Sequence, residues 1–332
     1  MNLRRRDFLR VGGCGIASLI SSPLWAQADG KEESQSAPRV VLTWGTNGPG
    51  DGEFDIPIAI AVNQKDEILV TDFRQGNAEA KSRVQQFDQE GRFLGSFETD
   101  PMPGGLALGK DGLLYVTHMM KHKVAVYDPA GKFVREFGKQ GSAPGEFEQP
   151  GGIAFGRDGS VYVADQANRR VQRLSPQGEP MSAWGKYGTA PGEFGGNSHP
   201  KGRGGGPHFL AFNSHGHLYT TEASVGRVQK FKPEGTFLLA WGDNEVGPGH
   251  FGGHKAMPGP LAIAVDHRDQ VWVTSTSHYV QQFTAEGRFL RRVGGEGSDP
   301  GQFELPHGLA FDSQHYLYVA DARNCRIQKL AI

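Results

Sequence analysis

Three observations on the 332-residue sequence predict an all-β fold, a six-bladed β-propeller of four-stranded antiparallel blades. One apolar motif, each time opening on a proline, returns six times. Each copy is followed by further short β-rich runs separated by turn residues. And 48 glycines, with no Gly-X-Y period, supply the tight turns that such a chain needs.

The first strand of each unit is the run after the proline: Pro57 to Val62, Pro103 to Leu108, Pro150 to Phe155, Pro207 to Phe212, Pro260 to Val265 and Pro306 to Phe311. A polar turn such as Lys110-Asp111-Gly112 leads to a second run, as in Tyr162-Val163-Ala164-Asp165. A third follows, as in Arg170 to Leu174, and a Gly turn leads to a fourth, as in Phe133 to Gly138. Four alternating runs joined by turns make a meander, and six meanders at spacings of about 40–57 residues make a radial array. The expected blades are 54–98, 101–138, 147–185, 194–242, 251–294 and 303–332. The last has only three strands, and Val40 to Gly45 matches the missing fourth, so the N-terminal strand is expected to close the ring. The propeller is thus expected over 39–332, with 40–45 as the closing strand.

Composition excludes several function classes. A net charge of −1 offers no basic field for nucleic acid. Two cysteines cannot make a disulfide scaffold or a cysteine zinc site. The N-terminus, Arg4-Arg5-Arg6-Asp7-Phe8-Leu9-Arg10, precedes a Gly-rich apolar stretch and the small-x-small step Ala26-Gln27-Ala28. Residues 1–28 thereby resemble a twin-arginine export signal, an ordinary secretory signal being the alternative, which implies a periplasmic or secreted protein. The apolar stretch is too short for a stable membrane anchor. Its removal would take away four Arg and one Asp, leaving about −4, and would leave Cys325 as a single thiol. Residues 29–38 are expected to be a linker, and the mature chain a monomer.

The repeated units resemble the NHL-repeat family in their "YVAD" strands and "N-x-R-I/V-Q" steps, most clearly at Asp165 to Leu174 and Asp321 to Leu330. That resemblance implies a scaffold used for many functions. Connections on one face are long and irregular: Phe73 to Ser82, Gly195 to Gly206 and Asp243 to Gly259. Function is expected there. His199, Lys201, Arg203, His250 and His254 are candidate contacts on these loops.

Around the expected channel mouth the residue after each proline runs Ile58, Gly104, Gly151, His208, Leu261, His307. With His118, at the end of the second strand of blade 2, the two histidines make an alternate-blade trio able to hold one zinc or other divalent ion. Structural imidazoles are the competing reading. The strand-end carboxylates Asp72, Asp165, Glu222 and Asp321 recur with Arg83, Arg170, Arg227 and Arg326, and read as structural pairs. Five copies of Pro-Gly-x-Phe or a close variant, ending at Phe54, Phe147, Phe194, Phe251 and Phe303, read as aromatic plugs between blades.

The Pro-His steps resemble the peptidyl-α-hydroxyglycine α-amidating lyases. That resemblance implies a central zinc on three such histidines, two matched by His208 and His307, and an arginine near the metal, matched by Arg74. The third step is Pro103-Gly104 here, and Gln166-Ala167-Asn168 lacks the family's tyrosine. Two functions are therefore expected: a propeller that binds a small molecule, peptide or protein partner through its long-loop face, or a metal-dependent lyase or hydrolase.

Overall fold

The structure, a computed structural model, describes residues 38–74, 81–195, 205–252 and 259–332. Six four-stranded antiparallel sheets account for nearly all of its regular structure. Blade 1 comprises Ile56–Val62, Ile68–Phe73, Ser82–Phe87 and Phe93–Thr99. Blade 2 comprises Pro103–Leu108, Leu114–His118, Lys123–Tyr127 and Phe133–Phe137. Blade 3 comprises Pro150–Phe155, Val161–Asp165, Arg170–Leu174 and Pro180–Trp184. Blade 4 comprises Leu210–Phe212, Leu218–Glu222, Arg227–Phe231 and Phe237–Trp241. Blade 5 comprises Pro260–Val265, Val271–Ser275, Tyr279–Phe283 and Phe289–Gly294. Blade 6 takes Pro306–Phe311, Leu317–Asp321 and Arg326–Ala331 from the end of the sequence and Arg39–Trp44 from its beginning.

That last pairing runs antiparallel from Arg39 opposite Ala331 to Trp44 opposite Ile327, so the ring closes through the N-terminal strand, as the repeat count predicts. First strands of neighbouring blades touch all the way round, including blade 6 against blade 1. The strands are short and the sheets pack face to face, so second strands are buried on both faces. Val161–Asp165 and Leu317–Asp321 have no exposed residue. Tyr115, Tyr162, Tyr219, Trp272 and Tyr318 stand at one repeated place in these strands and fill the seams between blades.

The five plug phenylalanines Phe54, Phe147, Phe194, Phe251 and Phe303 are all fully buried. Each lies over a glycine with positive φ at the end of a preceding fourth strand. At Gly138 (φ +89°) a Cβ would stand 2.5 Å from the Phe147 ring, so a side chain there would expel the plug.

One irregularity recurs where it matters for the site. Register slips between Pro57 and Ile60, Pro103 and Leu106, Pro150 and Ile153, Pro260 and Ile263, and Pro306 and Leu309. The two residues after each of these five prolines therefore form a bulge, which turns side chains out of the sheet at the channel. In blade 4 the regular strand begins only at Leu210, and His208 and Phe209 precede it, tied to the second strand through the His208 N–H to the Thr221 carbonyl at 2.8 Å and the Thr221 N–H to the Phe209 carbonyl at 3.1 Å.

Threonines on the second strands occupy the amides that these bulges free. Thr71, Thr117, Thr221 and Thr274 accept the N–H of Ala59, Gly105, Phe209 and Ala262 at 2.7–3.0 Å. Thr117, Thr221 and Thr274 in turn donate to the carbonyls of Gly151, Leu261 and His307 on the next blade. Blades 3 and 6 carry Ala164 and Ala320 instead, and the Gly152 N–H donates directly to the His208 carbonyl at 2.7 Å. The latches hold the central residues of adjacent blades in fixed relation.

Candidate functional site

The bulge of blade 6 and the segment leading into the first strand of blade 4 bring His307 and His208 together. Their ring centroids lie 6.0 Å apart, tilted by 65°. Both residues are only partly accessible, and both Nδ1 atoms are buried without a hydrogen-bond partner. Burial pulls the pKa of His208 down to about 4. Burial, with His208 alongside, pulls that of His307 down to about 3. The Leu261 and Ile58 carbonyls beside the two rings oppose the shift. Both imidazoles are therefore neutral at pH 7, each with one donor and one acceptor nitrogen.

Phe209 completes the centre. Its ring meets His208 edge-on at 5.0 Å and His307 at 5.5 Å. It packs against clusters containing Ala59 and Leu106, Ile263 and Val271, and Ala262 and Leu309. A side chain from blade 4 thus reaches the blade opposite and fills the middle of the channel. The matching place in the other five blades holds Ala59, Gly105, Gly152, Ala262 and Gly308. There the first strands run so close that a Cβ on Gly152 would stand 2.6 Å from the Phe209 Cα. Gln166 adds a fourth group. It is 4% exposed, its Nε2 has no hydrogen-bond partner, and its amide occupies the space in front of Gly151.

The expected third metal ligand does not join this pair. His118 is fully buried, and its Nε2 meets the Thr99 hydroxyl at 3.1 Å, at the end of the outermost strand of the preceding blade, blade 1. Burial pulls its pKa down to about 4, opposed by Asp100. It stands where blades 1, 3, 4 and 6 carry Asp72, Asp165, Glu222 and Asp321, and like them it turns outward along the sheet. Nor is there room at the missing step. A Cβ on Gly104 would stand 2.8 Å from Thr117 Oγ1 and 3.1 Å from the Pro150 carbonyl. Two imidazoles fall one short of the three protein ligands of a catalytic zinc, and no third His, Cys, Asp or Glu donor groups with them among the described residues. The donor set thus does not fit that metal centre.

Arg74 is likewise placed elsewhere than the resemblance implies. Its Nη2 donates to the Pro49 carbonyl at 2.8 Å, which Arg83 also uses. His250 lies on the loop into blade 5, its Nδ1 2.7 Å from Asp243 Oδ1. His199, Lys201, Arg203 and His254 lie outside the described residues. The strand-end carboxylates make the structural pairs expected of them: Asp72 to Arg83 at 2.9 Å, and Asp165 to Arg170, Glu222 to Arg227 and Asp321 to Arg326 at 2.8 Å. Burial raises the pKa of Asp72, Asp165 and Glu222 while the arginines oppose it. The same arginines donate to the Glu53, Glu146, Glu193 and Gln302 carbonyls, one residue before a plug phenylalanine. They tie plug loops to blades.

Fold and site together define a six-bladed β-propeller with a small polar and aromatic centre in its channel. A family model described as a 6-bladed beta-propeller matches residues 107–182, and one for the NHL repeat matches residues 303–330. The chain is similar to the peptidyl-glycine alpha-amidating monooxygenase of Mus musculus, with 31% identity over 132 residues. That match covers 37% of this chain and 13% of the mouse protein, so it spans only a small part of that relative. Virginiamycin B lyase from Staphylococcus aureus shares the fold with a TM-score of 0.55 and 16% identity, over 84% of this chain and 95% of the lyase. A gluconolactonase from Xanthomonas campestris does so at 0.58 and 15%, over 90% and 96%.

Proposed function

We propose that this propeller binds a small neutral ligand, or the end of a peptide, in the channel at His208 and His307. The observation that carries this reading is the pair of neutral imidazoles with buried, unpartnered Nδ1 atoms, packed against Phe209. Buried polar atoms left without partners cost stability, and sites built for ligands are where such atoms persist. A ligand that hydrogen-bonds the imidazoles and the Gln166 amide while laying a flat group on Phe209 would satisfy all three. A carboxylate is less suited, because burial disfavours the imidazolium forms that would pair with it.

The similarity to an amidating monooxygenase and the lyase and lactonase folds favours chemistry at this same centre as a second reading. The two-imidazole donor set weighs against a metal-dependent version, so binding is the reading we adopt. Export of the folded protein, read from residues 1–28, belongs to the same proposal.

Imidazole nitrogen resonances test it. On titration of the protein with small amides, lactones and C-terminally amidated dipeptides, the His208 and His307 signals should shift and saturate together. The response should disappear in Phe209→Trp, which fills the same centre. If no member of such a set perturbs either ring at millimolar concentration, the channel is a packed core and the proposal fails.

A further inference from the structure

Five loops of equal length lead from a fourth strand into a plug phenylalanine, and four share one internal arrangement. The residue before the plug, Glu53, Glu146, Glu193 or Gln302, accepts a backbone N–H three residues upstream: Gly50, Ala143, Ala190 or Asp299, at 2.8–3.2 Å. In two of the loops a lysine pairs with that acid, Lys139 with Glu146 at 3.3 Å and Lys186 with Glu193 at 3.1 Å. In three of them a glycine with φ near +150° (Gly141, Gly188 and Gly297) leaves room for the capping side chain, which any Cβ there would strike.

The loop into blade 5 changes all three places at once. His250 stands for the capping Glu or Gln, Asp243 for the lysine, and Glu245 for the glycine. A cation–anion pair has become two carboxylates and an imidazole, with one donor atom from each lying within 4.8 Å of the others. Backbone bonds fix their spacing: Glu245 N–H to Asp243 Oδ1 at 2.8 Å, Phe251 N–H to the Asp243 carbonyl at 2.9 Å, and Gly252 N–H to the Glu245 carbonyl at 2.8 Å. Loss of the capping acid explains how Glu245 is tolerated where the other loops need glycine. It does not explain why both replacements on the strand side are acidic. Two carboxylates this close repel, and a doubly charged ion relieves that repulsion at the place where two of the other loops use lysine.

We propose that Asp243, Glu245 and His250 form a divalent-cation site on the rim of the propeller, separate from the channel. Two carboxylates and one imidazole suit first-row ions that accept mixed nitrogen and oxygen ligands, borderline Zn²⁺ or the harder Mn²⁺, better than Ca²⁺ or Mg²⁺ with their all-oxygen shells. Water fills the remaining positions. The ion joins the entry loop of blade 5 to the end of blade 4 as the lysine–glutamate pairs do in the loops into blades 3 and 4.

The test uses metal-stripped protein carrying His208→Ala and His307→Ala, so that the channel contributes no ligand. Calorimetric titration with Zn²⁺ and with Mn²⁺ should show one equivalent bound, and Co²⁺ should give a visible spectrum of imidazole and carboxylate ligation. Adding His250→Gln, which restores the capping residue of the Gln302 loop, should weaken binding by about tenfold or more without loss of folding. Glu245→Gly, which restores the other loops' glycine, should also weaken it. Absence of a stoichiometric ion in the channel double variant overturns the proposal, as does binding left unchanged by His250→Gln and Glu245→Gly.

Discussion

Acid should loosen this propeller through its two channel imidazoles. His208 and His307 fall from an ordinary 6.5 to about 4 and about 3 in the fold. The unfolded chain therefore takes up protons below pH 6.5 that the folded chain refuses. The stability tied to these rings is complete above pH 6.5 and is lost as pH falls toward the folded values. Each ring contributes about 1.4 kcal/mol per pH unit in that window, or about 2.5 kcal/mol between pH 7.5 and 4.5. Both rings keep some contact with the channel, so half of the summed effect is the better expectation, about 2–3 kcal/mol for the pair. Urea unfolding at the two pH values, on the wild-type protein and on the His208→Gln/His307→Gln variant, measures it directly. The wild-type protein should lose about 2–3 kcal/mol more than the variant on acidification, and His118, buried in both, cancels. Parallel losses within about 0.5 kcal/mol would refute the claim that these rings are held neutral by the fold.

Two further expectations concern other parts of the chain. Asp165 accepts bonds from the Glu148 N–H, Asn168, Arg170 and Gln172; Asp165→Asn leaves Arg170 without its counterion and should cost about 3 kcal/mol. Ser275→Ala, at the same place in blade 5, should cost less than about 1 kcal/mol, and equal urea midpoints for the two variants would contradict the structural role of the ion pair. In a Gram-negative host, Arg5→Lys with Arg6→Lys should hold the full-length chain in the cytoplasm, whereas an undiminished periplasmic fraction on immunoblotting would point to the ordinary secretory route.

The fold was legible because every blade repeats its turn chemistry. The proline, the bulge and the buried second strand recur with their spacing intact, and the spare run at Val40 declares where the ring closes. The site was legible only in part. His208 and His307 stand out as polar residues at a place that is otherwise Ile, Gly, Gly and Leu. His118 misled because strand-end position alone does not say which way a side chain turns. In an antiparallel pair it faces with Pro103 toward the outer strands, as the carboxylates of other blades do. Phe209 left a signal one residue further on, the single large side chain in a column of Ala and Gly, which only gains meaning once the first strands are known to converge. Gln166 left none: its role comes from Gly151, whose missing side chain lets the amide into the channel, a contact between adjacent places on two strands.

The closure of blade 6 has a kinetic side. Arg39 and Ala331 pair across about 290 residues of chain, and bringing such distant segments together costs about 5 kcal/mol of chain entropy, an outlay the last ladder must recover. Blades 1 to 5 are each made of contiguous sequence and can form as local units, whereas blade 6 cannot exist until both segments are present. Any state in which that ladder has not formed leaves an unpaired edge at Arg326–Ala331. Such an open state exposes the strand edge on which a second chain could add in place of Arg39–Trp44. Swapped dimers and aggregates should thus arise from slow closure of one ladder, and the first six residues of the ring govern how cleanly the whole protein folds.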